Sequence, residues 1–534
     1  MADTPETPET PDTLDALVRR GCAEHGTKPA VIDPAERIDY ATLDSTTMEL
    51  AAAFVAAGVG KGTRVGLIMP NGVRWVQIAV ALGRIGAVLV PLSTLLAPRE
   101  LVAQLRAASV QTLITVNEFR GHRYPAELAA ELDTTGVLNR TLYHQALPAL
   151  RTVWEAQALP AVTASDDVRD VVAAMTAALT PSDPLVIMFT SGSSGTPKGV
   201  VHSHGNALRA VASSLAPRCI DSGTRLYLPM PFFWVGGFGA GVLSALLAGA
   251  TLVTEPAPQP DSTLELLERE RVTLFRGWPD QAEALARQSD STGVDLSALR
   301  PGSLDGLLPQ ALRGRPGARA KLFGMTEAFG PYCGYPADTD MPESAWGSCG
   351  RPFEGMEIRI VDVDDRTPVP AGTVGEIEIR GPHTLRGICR RSREDLFTAD
   401  GFYPTGDLAH LDDDGFMFYH GRSDDMFKVS GATVYPSEVE AALRTVSGVG
   451  GAFVTNVVGG GGDRVGAAVV CDAANTTTAG LRSAARELLS SFKIPTVWLL
   501  LDSDDLIPRG TTGKVDVRRL RDMLTDAATL EDSR

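Results

Sequence analysis

The sequence predicts an α/β protein: a large N-terminal domain of mainly parallel sheets flanked by helices, a β-rich stretch, then a small α+β C-terminal domain. Three observations carry this. Short apolar runs alternate with amphipathic stretches through the first 300 residues. The period then changes to two. After Arg422 the pattern becomes a compact mixture of helices and strands.

Arg64–Pro70 is an apolar run that suits a buried strand, and Val73–Ala87 has the apolar spacing of a helix. Leu185–Thr190, Arg225–Leu228, Ala250–Val253 and Val272–Phe275 are further short strands, several followed by helical patterns. Alternation of this kind builds parallel sheets with helices on both faces. Met356–Asp362 and Gly375–Gly381 alternate apolar and polar residues, which predicts half-exposed antiparallel strands. Pro436–Thr445 is a helix with proline in its first turn. Gly451–Val458 and Arg464–Asp472 are strands around a Gly459–Gly462 turn, and Leu481–Ser490 and Val515–Leu524 are helices. A polar, charged run at Gly421–Asp425 marks a domain boundary. It divides the chain into a Pro-rich acidic tail (1–14), an N-terminal domain (15–421) and a C-terminal domain (422–534).

The 534 residues can bury a large core without disulfides or metal. A formal charge of −16 argues against nucleic acid or anionic membrane as principal partners. Six scattered cysteines contain no CxxC pair, and they read as free thiols of a cytoplasmic protein. The tail reads as a disordered segment rather than a signal peptide. Leu226–Thr254 carries no charge, but Pro229, Pro231 and the glycines at 236, 237, 239, 241 and 249 break it into short elements. It therefore reads as soluble core, with no membrane span.

The sharpest local signal is Thr190-Ser191-Gly192-Ser193-Ser194-Gly195-Thr196-Pro197-Lys198-Gly199, directly after an apolar strand. Glycines let the backbone turn its N–H groups toward an anion, hydroxyls donate further bonds, and the lysine supplies charge. The spacing is not that of a Walker A loop, and a flexible linker would not usually follow an apolar strand so closely. Lysine is rare here: seven against 42 arginines. Three of the seven fall in glycine-bearing motifs, Lys198, Lys428 and Lys514, where a compact ammonium does what a planar guanidinium cannot.

These residues, with Gly324-Met325-Thr326-Glu327, Tyr403–Asp407, Gly421-Arg422, Lys428–Gly431, Pro436–Glu440 and Pro508–Lys514, stand in the order of the motifs of adenylate-forming enzymes. The chain resembles that superfamily (acyl- and aryl-CoA synthetases, peptide-synthetase adenylation domains, luciferases) from about Asp39 to Leu520, and is nearest in type to the CoA ligases. The resemblance implies that ATP and a carboxylic acid give an acyl-adenylate and pyrophosphate, and that a thiol, usually coenzyme A, then displaces AMP. It also implies that the C-terminal domain rotates between steps, about a hinge at Asp424.

By the same resemblance Thr190, Ser191, Gly192, Ser193, Ser194, Gly195, Thr196 and Lys198 hold the ATP phosphates. Phe323, Gly324 and Met325 line the nucleotide, with Phe323 packing on adenine. Thr326 touches the α-phosphate, and Glu327 binds Mg²⁺ with help from Thr190. Asp407 and Arg422 take the ribose, and Lys514 bridges the carboxylate and the α-phosphate. Phe233, Trp234, Gly237 and Gly324 are expected around the acid. Lys428, Ser430 and Gly431 are expected around coenzyme A, with Lys428 also catalytic. The chain departs from its relatives in three places: Pro301–Pro309 replaces a Gly-Gly-Ala-Pro-like turn, Phe233-Trp234 replaces Phe-His, and Phe323 replaces a tyrosine. No aspartate lies near Trp234 to bind an α-amine, so an aryl, alicyclic or medium-chain acid is expected. The alternative is a standalone adenylating enzyme that loads a separate carrier protein or an amine. A non-catalytic binding protein would not need all five of Lys198, Glu327, Asp407, Arg422 and Lys514.

Overall fold

The computed structural model describes residues 10–159, 165–190, 198–277, 279–423, 426–429, 432–459, 462–472, 476–489, 493–510 and 513–532. The chain forms two compact units. One comprises residues 1–358, 379–403 and 415–417; the other comprises 359–378, 404–414 and 418–534. The second unit thus takes in strand residues on the N-terminal side of Arg422 as well as everything after it.

The first unit contains two large sheets beside a small three-stranded one. One has seven strands in the order Gly387–Ile388, Lys198–Ser203, Pro184–Thr190, Val88–Pro91, Arg64–Ile68, Thr112–Thr115 and Thr152–Glu155. Its last five strands run parallel, and Lys198–Ser203 returns antiparallel along Pro184–Thr190. The second sheet orders Leu274–Phe275, Arg225–Tyr227, Thr251–Val253, Pro29–Ile32 and Arg37–Asp39, parallel except for the last pair. The helix Val73–Arg84 is buried along almost its whole length, which is why its sequence is apolar on every side. Its Arg84 is fully buried and bridges Asp15 at 2.8 Å and Asp44 at 2.7 Å. A guanidinium so deep needs both partners.

The uncharged stretch resolves into short elements, as expected. A strand is followed by the helical pieces Val235–Gly237, Phe238–Leu243 (a π-helix) and Ser244–Ala248, and Gly249 ends them in the left-handed conformation at φ 66°. No described helix is long and apolar enough to cross a membrane.

The second unit contains most of a four-stranded sheet ordered Glu357–Val361, Gly375–Arg380, Tyr403–Leu411 and Met417–Arg422. Here the period-two reading needs correction. Gly375–Arg380 is buried along nearly its whole length, and its polar residues Glu376 and Glu378 face inward. Arg359 reaches Glu378 at 2.6 Å, and Arg366 reaches Glu376 at 2.8 Å and also Glu378. Alternation there encodes buried ion pairs rather than a wet face.

Toward the C-terminus, Val449–Gly459, Gly462–Cys471 and Val497–Leu501 form a three-stranded sheet. Its central strand is apolar on both faces. Val465, Ala467 and Val469 pack under Val439, Leu443 and Leu481 of the helices Pro436–Arg444 and Thr478–Leu488. Ala468 packs under Leu520 and Leu524 of Val517–Asp532. All six cysteines are free.

Candidate active site

The phosphate-loop signal lies between two paired strands. Thr190 and Lys198 are cross-strand partners at the end of the seven-stranded sheet, so the fold holds the loop's two ends side by side. Ser191, Gly192, Ser193, Ser194, Gly195 and Thr196 lie outside the described residues.

The strand that begins at Lys198 carries His202 toward the Gly-Met-Thr-Glu motif. His202 is fully buried and its Nε2 lies 2.8 Å from the Thr326 carbonyl oxygen. The Asn206 side-chain amide donates to Nδ1 at 2.7 Å, and also to the His383 carbonyl at 3.1 Å. With Nδ1 accepting, Nε2 holds the proton and donates to Thr326. Burial pushes the His202 pKa down to about 3, so the ring is a neutral, fixed donor at physiological pH. Its ring meets Phe329 edge-on at 4.9 Å. Phe329 adopts a left-handed conformation (φ 53°), closing the single turn Thr326–Ala328. That turn buries Glu327, and the Glu327 backbone carbonyl accepts from Leu385 N–H at 2.8 Å.

Phe323, Gly324 and Met325 form a short strand antiparallel to Gly330–Gly334. A Cβ on Gly324 would sit 2.2 Å from the Gly330 carbonyl oxygen, so the close strand approach alone demands glycine there. Phe323 meets Tyr332 edge-on at 5.7 Å.

The Phe233-Trp234 segment is fastened to the same unit by Asn71. Its amide donates to the Met230 carbonyl at 3.0 Å and its carbonyl oxygen accepts from Phe232 N–H at 2.8 Å. Trp75 packs on Phe232 at 5.1 Å and on Phe238 at 5.5 Å. Phe233 is buried, whereas Trp234 is partly exposed and T-shaped to Phe233 at 5.4 Å. A Cβ on Gly237 would fall 2.0 Å from the Pro231 carbonyl oxygen, so this residue is also required by packing. The π-helix that follows touches Phe329 through Gly239 and Phe238. One unit therefore joins the Lys198 strand, the Thr326–Glu327 turn and the Phe233–Gly237 segment.

In the second unit Asp407 is buried, and Arg422 Nη1 donates to it at 3.3 Å and to the Thr405 carbonyl at 2.9 Å. Gly406, at φ 73°, lets the guanidinium lie against the backbone; a Cβ there would be 2.7 Å from Nη2. Lys428 sits in the hairpin Phe427–Val429/Ala432–Val434, opposite Thr433. Ser430, Gly431 and Asp424 lie outside the described residues. Lys514 is exposed, on a turn where Gly510 N–H donates to its carbonyl at 2.8 Å and Arg509 bridges to Val515.

The sequence reading missed His202, Asn206 and Asn71. Each acts by holding another residue's backbone, and no spacing rule marks such a role.

Known proteins point the same way. The family model described as "AMP-binding enzyme" matches residues 18–389. A (7a-methyl-1,5-dioxo-octahydroindenyl)propanoyl:CoA ligase of Mycobacterium tuberculosis is 32% identical, covering 92% of this chain and 95% of its own length. A feruloyl-CoA synthase of Amycolatopsis is 31% identical, covering 90% and 94%. Among solved structures, ATP-bound MatB from Rhodopseudomonas palustris shares the fold at a TM-score of 0.76 and 24% identity, covering 96% of this chain and 99% of its own. The chain belongs to the AMP-binding enzyme family and is an AMP-forming, acyl-CoA synthetase-like ligase that uses ATP and coenzyme A.

Proposed function

We propose that this enzyme adenylates a carboxylic acid with an apolar body (aryl, alicyclic or medium-chain) and passes the acyl group to coenzyme A. The observation that carries the reading is the fixed Thr326–Glu327 turn, joined through His202 to the strand that Lys198 begins.

The loop 190–198 cradles the β- and γ-phosphates, with Lys198 neutralising charge. Thr326 contacts the α-phosphate, where charge builds as the carboxylate attacks. Phe323 stacks on adenine, and Asp407 accepts from the ribose hydroxyls while Arg422 holds it in place. Glu327 fits Mg²⁺, a hard cation that binds through one or two carboxylates plus substrate phosphates; no cluster of three acidic, His or Cys groups exists among the described residues, and none is needed. When bound, the ion would screen the phosphate oxygens. Lys514 bridges the two approaching anions, so a positioned cation stands where charge develops. Rotation about Asp424 then exchanges Lys514 for Lys428, Ser430 and Gly431, which line the path of the thiol. Phe233 and Trp234 supply apolar walls with no aspartate for an α-amine, in keeping with an acid that is not an amino acid.

AMP release measured with acid and ATP, with and without coenzyme A, tests this. Turnover should require coenzyme A. Full multiple turnover without it, or preference for free amino acids in a pyrophosphate-release panel, refutes the assignment.

A further inference from the structure

The first unit keeps two deep guanidiniums without a counter-ion. Arg218 is 3% exposed; it donates to Ser244 Oγ at 2.8 Å and to the Ala240 carbonyl. Arg276, immediately after the strand Leu274–Phe275, donates to the Gly302 carbonyl at 2.7 Å. Among the described residues neither makes an ion pair. The other arginines of this corner do: Arg300 with Asp221 at 3.2 Å, and Arg225 with Glu270 at 2.8 Å. Asp338, which faces Cys219, pairs with neither.

Burial pulls the Arg218 pKa down to about 9, with repulsion from Arg276 adding to it, and burial also lowers that of Arg276. Arg218 therefore stays charged at neutral pH, and a guanidinium is not deprotonated in proteins. Arg276 is nonetheless not sealed in: part of its surface stays accessible. An uncompensated charge in such a place is costly unless an anion meets it.

The position of the pair says which anion. Arg218 holds the π-helix that continues the Phe233–Gly237 segment, and Arg276 holds Gly302 in the divergent 301–309 stretch. The Phe233–Gly237 segment borders the acid in the ligase reading above, on which this inference rests, and Arg276 lies against the end of the strand that leads into it, its N–H donating to the Tyr227 carbonyl at 3.0 Å. We propose that the acid activated by this enzyme carries a second carboxylate at the far end of its apolar body, held by Arg276, with Arg218 behind it as a positioning residue that keeps the pocket positive.

Pyrophosphate release is to be measured with α,ω-dicarboxylic acids from C4 to C10 and with phthalic acids, each beside its monomethyl ester and the corresponding monocarboxylic acid. A charge-assisted hydrogen bond predicts that the best diacid exceeds its ester by about 10- to 100-fold in kcat/KM. Arg276→Gln should bring that ratio to about one while sparing ester turnover, and Arg276→Lys should keep part of the preference. The wild-type ratio is decisive even if a variant fails to fold. Esters or monoacids that match or exceed every diacid overturn the proposal, as does an Arg276→Gln loss equal on diacid and ester. In either case the ligase reading stands, because those acids are still turned over. Pyrophosphate release with no acid of either class removes that reading and this one together.

Discussion

His202 offers a test in which protonation and packing can be separated. It has 0% exposure, and a pKa lowered from 6.5 to about 3 by burial. The unfolded chain takes up a proton near pH 6.5, whereas the folded chain resists it until near pH 3. Between these values the unfolded state binds the extra proton, so stability falls as pH falls, with a limiting slope of about 1.4 kcal/mol per pH unit. Between pH 7 and pH 5 this one ring should cost about 2 kcal/mol. His202→Phe keeps a ring against Phe329 and removes both hydrogen bonds. The two groups it abandons each retain a partner: the Thr326 carbonyl still accepts from Phe329 N–H at 3.0 Å, and the Asn206 amide still donates to His383. The variant should therefore be less stable at pH 7 by only about 1–3 kcal/mol. It also lacks the titration, so the gap should close toward pH 5. The assay is urea unfolding of both proteins at half-unit steps from pH 7.5 to 4.5. His204 and His383, also lowered by burial, titrate in both proteins and drop out of the difference. A stability gap that stays constant over this range refutes the neutral, sealed histidine.

Other substitutions address the remaining parts. Gly406→Ala places a methyl group 2.7 Å from Arg422 Nη2 at φ 73°, so the KM for ATP should rise and thermal stability should fall by about 1–2 kcal/mol, read by pyrophosphate release and calorimetry. Glu378→Ala takes one carboxylate from Arg359 and from Arg366, which keeps Glu376; because both arginines are partly exposed, the loss in urea unfolding should be about 1–2 kcal/mol, below that of a sealed pair. Lys514→Ala should lower adenylate formation by about 10²–10³-fold while leaving thiolation of a supplied acyl-adenylate largely intact; equal losses in both half-reactions contradict a rotating domain.

Much of this architecture was legible in the sequence because it is written in local chemistry. Apolar runs of strand length mark Arg64–Ile68 and Pro184–Thr190, and glycine with hydroxyls after the latter marks an anion loop. Gly375–Arg380 was misread for a definite reason. Alternation reports that two faces differ, and it is silent on whether the polar face meets water or arginine. The acids Glu376 and Glu378 find theirs in Arg359 and Arg366, which are 10 to 19 residues away in the chain. Sequence also carries no mark of indirect support. Asn71 and Phe232 lie 161 residues apart, and His202 and Thr326 lie 124 apart.

The consequence for this enzyme is specific. Gly324 and Gly237 stand inside motifs expected to touch substrate, yet a Cβ at either would strike backbone at 2.2 and 2.0 Å. Packing alone is sufficient to require them, so their presence is no independent sign of chemistry. Arg276 is the converse case. Nothing in its local sequence singles it out among 42 arginines, but its depth, its accessible surface and its missing carboxylate do. A glycine that the fold already explains has little left to say about substrate; a buried charge that the fold leaves unanswered has more, because an ion without a partner persists in a low-dielectric interior only at a cost that a ligand can remove.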